Sequence, residues 1–246
     1  MLIALISDIH ANHLALQACL AKAAALGVDR LVFLGDLVGY GAEPEEVVAT
    51  VRDLAEQGAV VIKGNHDHAI ADQHEPMNGA AKRAIDWTRD QLSAEAKTYL
   101  ARLPVTTEDD DRLYVHADAS APAKWNYVTD NEDAFASINA SARPIAFCGH
   151  VHVPMLYCLS SVGKITAHSP ASDAPLPLSG HRRWLAVIGS VGQPRDGNPA
   201  AAFATYDTLN RSLVFRRAPY DVERASMNVR KAGLPDQLAM RLLKGQ

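Results

Sequence analysis

The 246-residue chain reads as one mixed α/β domain spanning residues 1–246. Three observations predict this. Short apolar runs alternate with helical stretches as far as Leu103, the pattern of a parallel sheet covered by helices. Beyond Pro104 the texture changes to short β-rich runs, many of them separated by Gly, Ser, Asn or Pro. No internal repeat or low-complexity linker divides the chain, and its apolar (48%) and charged (21%) fractions suit a packed globular core.

Taken in order, Leu2–Ser7 is an apolar run, and the Ala- and Leu-rich Asn12–Leu26 suits a helix. Leu31–Leu34 is apolar again, Pro44–Gln57 is helical with its proline in the first turn, and Val60–Ile62 is a third run. Asn78–Leu103 predicts one or two helices. A hairpin follows, with arms Pro104–Thr107 and Arg112–His116 around a solvated acidic turn, Glu108–Asp111. A helix is expected at Asp130–Ala140. Further strands are expected at Ile145–Cys148, Met155–Leu159, Lys164–His168, Trp184–Ser190, Ala202–Tyr206 and Ser212–Arg217. Proline-rich Ser169–Ser179 reads as a surface loop, and the tail from Asp221 as one or two helices broken at Gly233-Leu234-Pro235.

Composition excludes several functions. The net charge is −4 and no block of Lys and Arg occurs, which argues against an electrostatically driven nucleic-acid binder. The N-terminus has no basic leader, and no run approaches the roughly 18 apolar residues of a membrane span. Cys19, Cys148 and Cys158 form no Cys-x-x-Cys pair and lie among apolar residues, as reduced thiols of a cytoplasmic protein do.

The chemistry lies where apolar runs stop. Five of them end in residues able to bind metal: Asp8-Ile9-His10, Asp36, Asn65-His66-Asp67, His116 and His150-Val151-His152. In layered α/β folds the carboxyl ends of strands converge on the ligand crevice, so these ends gather one polar cluster. Residues two apart on an extended segment face the same side, so Asp8 and His10 can share an ion, as can His150 and His152. Gly35, Gly64 and Gly149 each precede a candidate ligand and permit close backbone approach. Five of the ten histidines fall in these segments. The donors are oxygen and imidazole, without thiolate, which suits a hydrolytic Mn, Fe, Zn or Co site rather than a structural zinc knot. Seven ligands exceed one four-coordinate ion and fit two ions sharing a carboxylate.

Asp8-x-His10, Gly35-Asp36, Gly64-Asn65-His66-Asp67, His116 and Gly149-His150-x-His152, in this order, resemble the signature of calcineurin-like metallophosphoesterases. The stretch Gly189-Ser-Val-Gly-Gln-Pro-Arg-Asp-Gly197 is similar to one in bacterial single-domain members. The resemblance implies a four-layer αββα sandwich of two mixed sheets flanked by helices. It implies two divalent ions (Mn, Fe, Zn, Co or Ni), one held by Asp8, His10, Asp36 and His152, the other by Asp36, Asn65, His116 and His150. A hydroxide bridging them would attack phosphorus, with His66 stabilising the phosphoryl charge or protonating the leaving oxygen and Asp67 orienting its ring.

Three departures from the family pattern bear on the substrate side. Ala11 stands where many relatives have Gly, and Ala117–Pro122 differs from the shorter segment usual after the histidine. Leu37-Val38-Gly39-Tyr40-Gly41 replaces the Asp-Arg-Gly of phosphoprotein phosphatases and symmetric dinucleoside tetraphosphate hydrolases, removing their phosphate-gripping arginine. Arg195 is the candidate phosphate contact, with a salt bridge to Asp196 or another carboxylate as its alternative. Asn12 and Tyr40 are further candidate cleft residues, although Asn12 equally suits a helix cap. Trp125-Asn126-Tyr127 suits packing, or stacking on a nucleobase. The expected function is hydrolysis of a phosphodiester, nucleotide or related small phosphorylated compound. The alternatives are a phosphoprotein phosphatase, a dinucleoside polyphosphate hydrolase and an inactive metal-binding scaffold.

Overall fold

The first strand sets the architecture. In the computed structural model, which describes residues 1–246, β1 (Leu2–Ile6) turns Ile3 and Leu5 to one side and Ala4 and Ile6 to the other, all four buried. A strand buried on both faces needs cover on both, and here one cover is a second sheet and the other a helical layer. The first sheet runs β3 (Val60–Val61), β2 (Arg30–Phe33), β1, β11 (Ala201–Asp207), β12 (Ser212–Ala218) and β9 (Pro175–Pro177). The second runs β4 (Thr106–Asp109), β5 (Arg112–Val115), β6 (Ile145–Cys148), β10 (Arg183–Val187), β7 (Met155–Leu159) and β8 (Ile165–His168).

Ile3, Leu5, Val32 and Leu34 meet Tyr114, Phe147 and Ala186 between the sheets. On the outer side, Ala4, Ile6 and Phe33 pack against α1 (His13–Ala25) and α2 (Pro44–Glu56). Leu113, Val115 and Leu185 pack outward on α6 (Asn131–Ala140). A fourth cluster joins α4 (Gly79–Gln91) to the tail helices α7 (Val222–Lys231) and α8 (Asp236–Lys244). With α3 (Asn65–Ala71) and α5 (Ala94–Arg102) the helices number eight, and the molecule is the expected αββα sandwich. No helix is long and apolar enough to cross a membrane.

Each sheet is half parallel: β1, β2 and β3 in the first, β5, β6 and β10 in the second. The six carboxyl ends abut. Asp8 N–H donates to Gly35 O, Gly149 N–H to His116 O and Val191 N–H to Ser7 O, at 2.9–3.1 Å.

Three expectations are corrected. Ser169–Ser179 is not all loop, because Pro175–Pro177 adds a strand beside Ser212–Val214. Proline is tolerated there because the strand lies at the sheet edge. The motif Asn65-His66-Asp67 starts a short helix, α3, rather than merely ending a strand. The acidic turn is not simply solvated: Asp109 pairs with Arg30, Glu108 with Arg143 and Asp111 with Arg211, while buried Arg112 reaches Asp109, Asp110 and Asp111. Arg30 and Arg211 belong to the first sheet's side, so these pairs tie the two sheets together. Asn78–Leu103 resolves into two helices, with Ser93 capping the second.

Candidate metal centre and cleft

The carboxyl ends bring all seven candidate ligands into one cluster, Asp8, Asp36, His10, His116, His150 and His152 being almost wholly buried. Placing them there strains the chain. Asp8, His10, Asp36, His150 and His152 have φ between 49° and 67°, the left-handed region that non-glycine residues avoid. Each is bent back as its strand ends, which aims its side chain across the crevice rather than along the sheet. The glycines between them admit the close approach: a Cβ on Gly64 would lie 2.2 Å from Asp36 Oδ1, and one on Gly149 2.3 Å from Asp8 Oδ2.

Backbone carbonyls orient three of the imidazoles. Nδ1 of His10 faces Val38 O at 3.2 Å, Nδ1 of His116 faces Leu34 O at 2.8 Å, and Nδ1 of His152 faces Gln193 O at 2.6 Å. A carbonyl only accepts, so each Nδ1 carries a proton and each Nε2 is left to face the crevice. Those Nε2 atoms converge. His10 Nε2 and His152 Nε2 are 3.1 Å apart, with Asp8 Oδ1 3.2 Å from the latter. His116 Nε2 lies 3.2 Å from His150 Nδ1, 3.3 Å from Asn65 Oδ1 and 3.4 Å from Asp36 Oδ2. A buried cluster of imidazole nitrogens and carboxylate oxygens at such distances suits cations between them. The donors thus fit metal, and they fall into two groups. One is Asp8, His10 and His152; the other is Asp36, His116 and His150; and Asp36 also reaches His10, at 3.6 Å.

Electrostatics agree. Burial disfavours charge on Asp8 and Asp36, yet the histidines around them hold both carboxyls below the usual range. Burial alone would lower His116, but neighbouring Asp36 outweighs it and pushes this imidazole up to about 9. Without metal, a proton there supplies the positive charge that two buried carboxylates require. Burial pushes His150 down to about 3 and His66 to about 4, so both rings are neutral at pH 7.

Further bonds stiffen the carboxylates. Ser7 Oγ donates to Asp8 Oδ2 (2.6 Å), His150 N–H donates to the same oxygen (3.0 Å), and His66 N–H donates to Asp36 Oδ1 (2.8 Å). Ser190 Oγ donates to Asp8 O, and the loop after β10 wraps Asp8 through Gly192 N–H. Ser7 and Ser190 were not anticipated. A buried serine beside Asp8, in an otherwise apolar run, was the signal available for the first.

The expected pairing of His66 with Asp67 does not form. Asp67 Oδ1 accepts from Leu37 N–H (2.9 Å) and Val38 N–H, and Oδ2 accepts from Gly64 N–H (3.0 Å). Asp67 therefore holds the loop after Asp36, and burial with Asp36 nearby pushes it up to about 7. His66 Nε2 stands 4.0 Å from Asp36 Oδ2 while its buried Nδ1 has no partner.

Asn12 does not present its side chain to substrate. Its Oδ1 caps α1 through Ala15 N–H, and its Nδ2 donates to Gly192 O and Tyr220 Oη, so the whole carboxamide is engaged. Tyr40 lies beside the centre, its ring 4.5 Å from those of both His10 and His66. A cleft above the ligands is lined by Tyr40, His66, Met77, Tyr127 and Arg195. Arg195 makes no salt bridge with Asp196, which pairs with Arg217 instead. Its Nη2 donates to Gln193 Oε1, its Nε is buried without a partner, and its guanidinium lies 5.9 Å from the Tyr40 centroid. Trp125 is buried, 6.0 Å from the His116 ring, whereas Tyr127 is half exposed.

A fold that delivers a double cluster of oxygen and imidazole donors to five strand ends defines a class of metal-binding hydrolase. Residues 1–211 match the family model of the calcineurin-like phosphoesterase superfamily domain, and the chain belongs to that family. It is 32% identical to an uncharacterized protein of Methanocaldococcus jannaschii, covering 100% of this chain and 98% of that one. A metallophosphoesterase structure from Sphaerobacter thermophilus superposes with a TM-score of 0.88 at 37% identity, covering 100% and 99% of the two chains. A hypothetical protein from Pyrococcus horikoshii shares the fold at a TM-score of 0.82 and 22% identity, over 100% and 98%.

Proposed function

We propose that this chain is a two-metal phosphoesterase acting on a small phosphodiester, nucleotide or related phosphorylated compound. The observation that carries the reading is the convergence of imidazole Nε2 atoms on Asp8 and Asp36 beneath an open cleft. Asp8, His10, Asp36 and His152 would hold one ion, and Asp36, Asn65, His116 and His150 the other. Metal held there would supply charge neutralisation for phosphoryl oxygens and a water of lowered pKa. The chain's own residues do the rest. His66, neutral at pH 7, offers one N–H to a phosphoryl or leaving oxygen. Arg195, free of any carboxylate, turns its remaining donors to a phosphate oxygen, and Tyr40 walls the same side. Asp67 keeps the loop after Asp36 in place. The whole chain works as one domain, and its buried, unpaired thiols fit the reducing cytoplasm.

The test is hydrolysis of bis-p-nitrophenyl phosphate and p-nitrophenyl phosphate by Mn-reconstituted protein, with chelator-stripped protein as control. Metal-dependent cleavage favouring the diester is expected. Equal silence with and without metal overturns the reading.

A further inference from the structure

Tyr127 is a large ring left half exposed beside a buried metal centre. One face is occupied: it stacks on the His150 imidazole with centroids 4.1 Å apart and planes 19° from parallel. The ring also lines the cleft that contains Met77 and Arg195, and about half of it remains exposed. The ring is held rather than loose. Just before it, the 3-10 turn Pro122–Lys124 ends in Trp125, which is buried and forced to φ 55°. Asn126 O then accepts from Asp118 N–H at 3.2 Å, pinning the segment from the other side. A strained, anchored loop that presents one face of an aromatic ring to a cleft is an arrangement that ligand sites use.

Resting on the phosphoesterase reading, we infer that Tyr127 is a stacking platform for an aromatic base on the substrate, so the site selects nucleoside phosphates over sugar or alkyl phosphates. The phosphate sits over the ligands, within reach of Arg195, and the base lies flat against the open face of Tyr127. A purine covers such a ring and removes its exposed area from water. A sugar phosphate gives it nothing to stack on.

Adenosine 5′-phosphate and ribose 5-phosphate differ only in the base, so calorimetric titration of each into the Mn-loaded protein isolates the platform. The nucleotide is expected to bind at least about fivefold more tightly, the low end of a base–aromatic stack. Tyr127→Phe keeps that preference. Tyr127→Leu abolishes it and leaves ribose 5-phosphate affinity and metal content unchanged. Equal affinities in the wild type, or a preference that survives Tyr127→Leu, overturn the inference. So does a Tyr127→Leu variant that weakens both ligands alike, because the ring would then serve only to cover His150. These failures leave bis-p-nitrophenyl phosphate hydrolysis intact, whereas failure of the phosphoesterase reading removes it.

Discussion

A methyl group on residue 149 would lie 1.9 Å from Ser7 Oγ and 2.3 Å from Asp8 Oδ2. Gly149→Ala must therefore displace Asp8, and metal analysis is expected to show loss of the ion proposed for Asp8. Gly163→Ala is the control. Its φ of 78° strains any side chain, at about 1–2 kcal/mol, but nothing lies within 4 Å, so metal content and activity should persist. Asp36 carries a different expectation, because its Oδ2 lies within 4.0 Å of Nε2 on His10, His66 and His116. Asp36→Ala should release both ions, whereas His152→Ala should release one; two tight equivalents in Asp36→Ala would refute the bridging role. His66→Ala should keep both ions and lose turnover by about 10²–10⁴-fold, the usual contribution of a positioned proton donor. The residues of the buried cluster were legible because they are local to Gly-Asn-His-Asp and Gly-His-x-His. Their orientation was not: Gln193 O, which sets the His152 tautomer, lies 41 residues away, and no motif announces a backbone carbonyl. Asp67 misled for the same reason, since adjacency to His66 in sequence does not aim its carboxylate at the ring.

Among the elements, α1 and the β4–β5 hairpin show what patterning reveals and omits. Periodicity located α1, but the choice between cap and substrate contact for Asn12 depended on where Gly192 and Tyr220 come to lie. Asn12→Ala is expected to cost about 0.5–2 kcal/mol as a lost cap, read as a lower denaturant midpoint, with KM unchanged. A raised KM at unaltered stability would restore the substrate contact. The hairpin's acidic turn was visible as charge, while its partners Arg30, Arg143 and Arg211 come from remote segments. Arg112 sits among three aspartates with its side chain 3% exposed. Removing it by Arg112→Ala leaves those carboxylates facing one another. The expected loss is about 1–3 kcal/mol, less than for a fully buried pair because Asp110 is solvent-exposed. Arg112 opens β5, whereas His116 follows its far end, so kcat/KM of the folded variant at 25 °C should match wild type. The short strand β9 escaped notice because proline marks loops everywhere except at sheet edges such as this one.

At the scale of the molecule, the two sheets meet twice, through an apolar layer and through the candidate metal centre. Asp8, His10, Asp36 and Asn65 follow strands of the first sheet, and His116, His150 and His152 follow strands of the second. Each ligand group draws on both: Asp8 and His10 with His152, Asp36 with His116 and His150. Bound ions would therefore cross-link the sheets at the end where five candidate ligands already hold strained backbone. Metal should stabilise the fold by mass action, about 2.7 kcal/mol per site at a hundredfold excess over Kd. For a chain of this length that raises Tm by roughly 5–10 °C per ion. Chelation should remove the gain, and readdition of Mn should restore it. Falling pH should weaken the effect, because imidazole and carboxylate bind metal only without their protons. Hydrogen exchange would localise it: the amides of Gly149, His150 and Gly192, which bond across the strand ends, should lose protection before those of the inter-sheet core. A stripped protein with unchanged Tm and unchanged exchange at these amides would mean that backbone bonds alone hold the sheet ends together, and the centre would then be a passive cavity rather than a clasp.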